Sequence, residues 1–181
     1  MVNLKKISQV MKQINYGYIN KEGKRYLEVN SSEFELEYYL QSPEELLKSK
    51  CGVCWDQVEL ERKLFSGYDI QTYFIIYYDD GPCPSHTFLT YKQEGKIYWY
   101  EHSWQDYAGV HACNNLDELL IDVAIKHLKH CQINCGIKKI NFKNLCIYNY
   151  HQPKYGISCL EFMQHATKTV PIPVKINLNK R

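Results

Sequence analysis

The sequence predicts an α+β fold, on three observations. Strand-like runs follow one another through tight turns, at Ile70–Tyr78, His86–Gln93 and Lys96–Ser103. Segments with helical apolar spacing lie before and after them. The chain also carries 16 tyrosines in 181 residues, a side chain that suits half-buried strands because its ring packs while its hydroxyl reaches water or a partner. Consecutive antiparallel strands flanked by helices argue for α+β and against alternating βα units.

Residues 2–14 place Val2, Leu4, Ile7, Val10, Met11 and Ile14 at helical spacing and predict a short amphipathic helix. Tyr16–Asn20 and Arg25–Val29 flank a Lys-Glu-Gly-Lys turn and read as a hairpin. Ser42-Pro43-Glu44-Glu45 opens a helix: a serine cap, proline at the first helical position, and acids where the dipole favours them. That helix carries Leu46 and Leu47 and stops near Lys50. Gly52 breaks the chain before a second helix, whose apolar positions are Val58, Leu60, Leu64 and Phe65 and which Gly67 closes.

The first strand of the set ends in the turn residues Asp79-Asp80-Gly81-Pro82. The next two form a hairpin around Glu94-Gly95. Asn114 or Asn115 caps a helix with Leu116, Leu119, Leu120, Val123, Ala124 and Leu128 on its apolar face. Phe142–Tyr150 reads as a further strand and Ser158–Thr167 as a short helix. The expected organisation is an N-terminal helix and hairpin extension (1–40), a core (41–167) and an extended tail (168–181) containing Pro171 and Pro173.

Hydrophobic residues make up 45% and charged residues 23%, so a packed core is attainable. A net charge of +2 gives no electrostatic case for nucleic acid. Lys5, Lys6, Lys180 and Arg181 read as solvated basic spots. The stretch MVNLKKISQVMKQINYGYIN has no apolar run of signal-peptide length, and no run of about 18 apolar residues occurs. The expectation is a cytoplasmic chain, without a membrane partner, whose eight cysteines stay mostly reduced.

The stretch CGVCWDQVELERKLF, residues 51–65, carries the candidate chemistry. One reading is zinc, with Cys51 and Cys54 as half a site and Cys131 and Cys135, near His127 and His130, as the other half. The second pair has loose spacing and follows a helix, which argues against it, and no metal is expected. A redox dithiol is the second reading, but such motifs follow a strand in a βαβ unit, and here a helix precedes. The third reading is a single nucleophile, Cys54, in the first turn of the helix. Unpaired N–H groups and the positive end of the dipole favour a thiolate there and can also hold an oxyanion. Taken singly, Cys54 reads rather as a small buried hydrophobe, so the nucleophile reading needs a base.

A cysteine nucleophile needs a base, and the base an orienting group. If Glu94-Gly95 form the loop, Gln93 pairs with Lys96, Thr90 faces Trp99, Phe88 faces Glu101 and His86 faces Ser103. Residues two apart share a face, so His86 and Glu101 become diagonal neighbours with Cβ atoms about 7 Å or less apart. A carboxylate there accepts the imidazole N–H, fixes its tautomer and raises its pKa. The same count puts His102 on the other face, and Asp106 lies beyond the strand, a weaker orienter. A one-residue change in loop length reverses every one of these assignments.

Residues from about Pro43 to Trp104 resemble the transglutaminase-like cysteine-enzyme superfamily, through CGVCWDQ, PSHTFLTYKQEGKIYW and YEHSW. The family pattern is Gly-x-Cys at a helix start, a histidine on a strand and an acid on the next strand. The resemblance implies Cys54 as nucleophile, His86 as base and Glu101 as acid, where the family usually has Asp. It also implies a papain-like fold, with the cysteine helix packed on an antiparallel sheet. Trp55 and Trp104 flank these positions and are candidate substrate-binding residues, or core packing. The implied reaction is hydrolysis or acyl transfer at an amide of a peptide or protein, through a thioester and without a cofactor. Some large relatives need calcium, but Asp79-Asp80 reads as a turn. The superfamily also has non-catalytic members, so the alternative is a papain-like scaffold that binds a peptide or protein.

Overall fold

In a computed structural model the chain is described over residues 3–29, 31–79, 81 and 83–174. Val2, Asp80, Pro82 and residues 175–181 of the expected tail lie outside the described residues. Helix α1 is Leu4–Met11, followed by the short strands β1 (Tyr18–Ile19) and β2 (Arg25–Tyr26). Helices α2 (Ser31–Glu37), α3 (Pro43–Ser49) and α4 (Cys54–Leu64) come next. Strands β3 (Ile70–Tyr77), β4 (Ser85–Gln93), β5 (Lys96–Glu101) and β6 (Gly109–Cys113) lead to α5 (Leu116–Asn134), β7 (Leu145–Tyr150) and α6 (Cys159–Ala166). The large sheet is antiparallel throughout, in the order β6-β5-β4-β3-β7, and β1 pairs with β2 by itself. The fold is mixed α+β.

Local chemistry sets the boundaries. Ser42 accepts a hydrogen bond from the Glu45 N–H while the Glu45 carboxylate reaches back to the Ser42 N–H, a reciprocal cap with Pro43 as the first helical residue. Lys50 then turns left-handed at φ 56° and ends α3. Asn115, of the two candidates, caps α5 by accepting from Glu118 N. At the β4–β5 hairpin Glu94 and Gly95 both have positive φ, 53° and 76°, as a two-residue type I′ turn requires. That turn locks the predicted register: Gln93 opposes Lys96 and Thr90 opposes Trp99.

Alternation along the strands builds two cores. Phe74 and Ile76 join Trp55 and Val58 of α4 and Phe162 of α6. Leu89, Tyr91 and Tyr100 extend that face toward Leu60, Phe65 and the α1 residues Ile7 and Met11. Tyr73, Ile75, Phe88 and Trp99 point the other way, against Leu119, Leu120, Val123 and Ala124 of α5. Helix α4 is therefore enclosed by helices on one side and the sheet on the other.

The structure adds α2 and β6, which the sequence reading did not anticipate. Both are short, and β6 is an edge strand of small and polar residues, Gly-Val-His-Ala-Cys, with little apolar signal. Strand β5 stops at Glu101, two residues before the expected end. The run from Phe142 begins as a 3-10 turn, and the strand starts at Leu145. The N-terminal segment is built into the cores through Ile7, Met11, Ile14 and Tyr18. The described part of the tail is extended and docked: the Ile172 N–H donates to Ile147 O at 2.7 Å. No helix among the described residues is long and apolar enough to cross a membrane.

Helix α4 also buries charge. Glu59 is 0% exposed and pairs with Arg62 at 2.9 Å, and Arg62 also donates to the Thr72 hydroxyl on β3 at 2.6 Å. Burial raises the Glu59 carboxyl pKa, and Arg62 opposes that shift. Removing one partner of such a pair leaves an uncompensated buried charge. Arg62→Leu is therefore expected to cost about 3–5 kcal/mol in urea unfolding, and the Glu59→Leu/Arg62→Leu double variant to recover much of the loss.

Candidate functional site

Cys54 is the first residue of α4 and is 4% exposed. What fixes the helix start is Asp56, fully buried in the first turn. Its Oδ2 accepts the Val53 N–H at 3.0 Å, and its Oδ1 accepts the Gln41 N–H at 2.9 Å and the Tyr38 hydroxyl at 3.1 Å. Burial pushes this carboxyl up to about 7, against the pull of those three hydrogen bonds. Gly52 is required here, since a Cβ at that position would lie 2.5 Å from Leu46 Cδ1 and 2.9 Å from Asp56 Cβ. The Gln41 and Gln57 side-chain amides donate to the Cys51 and Gly52 carbonyls, each at 2.8 Å, and hold the approach to the helix.

The β4–β5 ladder closes at Leu89–Tyr100, so His86 lies beyond the last paired rung, at the end where the two strands part. His86 is buried, and its Nε2 meets Glu101 Oε2 at 2.7 Å. The remaining carboxylate oxygen is also held: Glu101 Oε1 accepts the Trp104 N–H at 2.8 Å and the Ser103 hydroxyl at 3.1 Å. The glutamate side chain thus reaches the imidazole and is locked at both oxygens. Since Nε2 is engaged by Glu101, Nδ1 is the ring nitrogen left to face Cys54, which is close enough to help raise the His86 pKa. Burial disfavours the imidazolium, but the Glu101 charge and the hydrogen bonds to Cys54 and Glu101 outweigh it and raise His86 to about 10.

The structure thus brings Cys54, His86 and Glu101 together. The two tryptophans separate. Trp55 is 4% exposed, stacks on Phe162 at 4.3 Å between centroids and packs edge-on against Phe34, Tyr38 and Phe74. It is a core residue and not a groove wall, because the helix turn that aims Cys54 at His86 aims its neighbour into the α6 core. Trp104 does border the site, with its ring 5.0 Å from His86 and 5.4 Å from His130. His102 turns away toward the Met11 and Ile14 carbonyls of the α1 end. Asp106 lies on an exposed 3-10 turn.

The zinc pairing is not assembled. Cys51 and Cys54 sit at the start of α4, while Cys131 packs with Tyr77, Leu128 and Ile137 in a separate cluster under α5. Among the described residues no group of three or more His, Cys, Asp or Glu side chains is arranged to hold a metal ion. All eight cysteines are free thiols.

Sequence reasoning missed two neighbours of Cys54. Glu61 lies two turns along α4 on the same face and is 2% exposed, and its Oε2 has no hydrogen-bond partner among the described residues. Burial, reinforced by the Glu101 charge, raises its carboxyl pKa well above the usual range. Spacing of i, i+7 from the cysteine was the available signal. The other is Tyr16, which comes close to Cys54 although it lies far away in sequence and no pattern marks it. No protein-family model matches the chain, and no curated protein matches it.

Two outcomes follow from this geometry. Asp56→Ala removes the acceptor of three buried donors and is expected to lower stability by about 2–4 kcal/mol in urea unfolding. Because His86 is raised in the folded state, its pairing contributes stability in full below about pH 6.5, and that contribution is lost as pH rises toward about 10. The stability difference between wild type and His86→Gln should therefore shrink steadily across that window. The subtraction cancels the titration of Asp56, which both proteins share.

Proposed function

We propose that this protein is a cysteine-dependent amide hydrolase or acyl transferase of the transglutaminase-like type, acting on a peptide or protein through a thioester. The supporting observation is His86 held between Cys54 and Glu101, with the 2.7 Å carboxylate contact fixing the ring. In this reading α4 on the antiparallel sheet corresponds to the papain-like arrangement of a cysteine helix and a base-bearing strand.

The chemistry follows from the positions. With its pKa raised to about 10, His86 already holds the proton at neutral pH, as an imidazolium that faces Cys54 through Nδ1 and pairs with Glu101. The thiolate attacks the amide carbonyl carbon, and negative charge develops on the carbonyl oxygen near the N-terminus of α4. Collapse breaks the C–N bond while the imidazolium gives its proton to the leaving amine. A thioester on Cys54 remains. Water regenerates the thiol and releases a carboxylic acid, or a second amine takes the acyl group. Trp104 beside His86 is placed to contact the substrate or the incoming nucleophile.

Iodoacetamide labelling of each cysteine, read by peptide mass spectrometry, tests this reading. Cys54 should label fastest near neutral pH despite its burial, and His86→Ala should slow it by on the order of 100-fold. Glu101→Gln should slow it less, because the imidazole stays in place without its charge partner. Labelling of Cys54 at the rate of Cys131 or Cys159, both buried and both with raised thiol pKa values, would remove the nucleophile and favour a non-catalytic binding scaffold.

A further inference from the structure

A cavity of about 420 Å³ lies between α1 and the end of β5, inside the range of about 300–1,000 Å³ that suits a bound ligand. Helix α1 and the residue after it present Lys5, Ser8 and Lys12, spaced i, i+3 and i+7 on one stripe. The neighbouring stripe of Ile7 and Met11 enters the core and fixes the helix against rotation. The facing wall comes from Tyr100 and Glu101 of β5 and from Gln105 on the 3-10 turn that follows.

The charge of this cavity is positive on balance. Among the described residues neither Lys5 nor Lys12 forms an ion pair, whereas Lys63, Lys92 and Lys126 each have a carboxylate. The acid on its wall is Glu101, and that carboxylate is already committed. His86 Nε2 meets one oxygen at 2.7 Å, and the Trp104 N–H and Ser103 hydroxyl donate to the other. Two ammonium groups are therefore left to face a ligand. Ser8 adds a neutral donor. The Gln105 amide adds another, since its Nε2 donates to His102 O at 3.2 Å and retains a second N–H. Tyr100 is 4% exposed and closes the wall with a buried ring. A cleft of one sign with a low-dielectric wall concentrates its field on the opposite charge.

The cavity also adjoins the reacting groups, because Glu101 both lines it and fixes the His86 ring. We infer that it seats an acidic side chain of the peptide or protein on which Cys54 acts. This deepens the proposed amide chemistry and rests on Cys54 being the nucleophile. A glutamate or aspartate carboxylate answers both lysines, while a neutral side chain leaves them in water and a basic one is repelled. Lys5, which the sequence alone presents as a solvated basic spot, becomes a specificity residue once β5 stands opposite it.

Two measurements test this, one at the cavity and one at the thiol. In the first, the ¹⁵N-labelled protein is titrated with acetyl-glutamate N-methylamide and, separately, with acetyl-glutamine N-methylamide. The glutamate compound should shift the Lys5, Ser8, Lys12 and Val110 amides saturably and bind on the order of 10-fold more tightly than its neutral match. In the second, chloromethyl ketones of short alanine peptides carry one glutamate or one glutamine, moved along the chain. The thiolate displaces chloride and forms a thioether, which peptide mass spectrometry reads at Cys54. At one position glutamate should react on the order of 10-fold faster than glutamine. That ratio should fall toward one in Lys5→Gln/Lys12→Gln, and lysine should be preferred over glutamate in Lys5→Glu/Lys12→Glu. Each ratio is taken within one variant, so a general change in reactivity cancels.

Reaction at Cys54 with no glutamate preference at any position overturns the inference and leaves the nucleophile standing. So does a preference that survives both double variants, or a titration in which the two compounds behave alike. Absence of preferential reaction at Cys54 with every ketone instead overturns the nucleophile reading, and the titration then still decides whether the cavity takes an acidic side chain. The two failures are therefore distinguishable.

Discussion

The carboxylate of Asp56 gathers three parts of the chain at one buried point. Tyr38 and Gln41 come from the segment before α3, and Val53 is the residue just before α4. These hydrogen bonds supply acceptors for donors that water cannot reach, and each unmet donor would cost on the order of 1–3 kcal/mol. They also fix the direction in which α4 starts. Since Cys54 is the first residue of that helix, its direction toward the end of β4 depends on this one anchor. Phe34, Tyr38 and Phe162 around Trp55 then prevent the helix from rotating.

A helix placed inside the molecule must find partners for every polar group on it. Helix α4 carries Asp56, Gln57, Glu59 and Glu61, all buried. Asp56 has backbone and phenol donors, Gln57 binds the Gly52 carbonyl and Glu59 has Arg62. Glu61 has no partner for Oε2 among the described residues, and burial and the Glu101 charge raise its pKa. Two carboxyl groups therefore lie near His86: Glu101 is hydrogen-bonded to the imidazole, and Glu61 has its pKa raised by burial.

Much of the site was legible because it depends on short-range rules. The Glu94-Gly95 turn has a fixed loop length, a fixed loop length sets the register, and the register places Glu101 beside His86. The cap at Ser42 and the helix start after Gly52 are likewise local. Less was legible where the signal is long-range or weak. Strand β6 has no hydrophobic alternation, because an edge strand outside the core does not need one. Trp55 and Trp104 looked equivalent in the sequence, since both flank a site residue. Only the packing of α6 on one and the aromatic contacts with His86 on the other separate them.

The sequence by itself determined the α+β class, the helix that begins at Cys54 and the His86–Glu101 register, because turn geometry, caps and two-residue periodicity act over a few residues. Tertiary structure alone decided that Glu61 is buried near the pair, that Cys131 and Cys135 are remote from Cys51 and Cys54, and that Tyr16 comes close to Cys54. Those outcomes depend on which distant surfaces exclude water together. That is a property of the packed chain, which no local pattern of residues encodes.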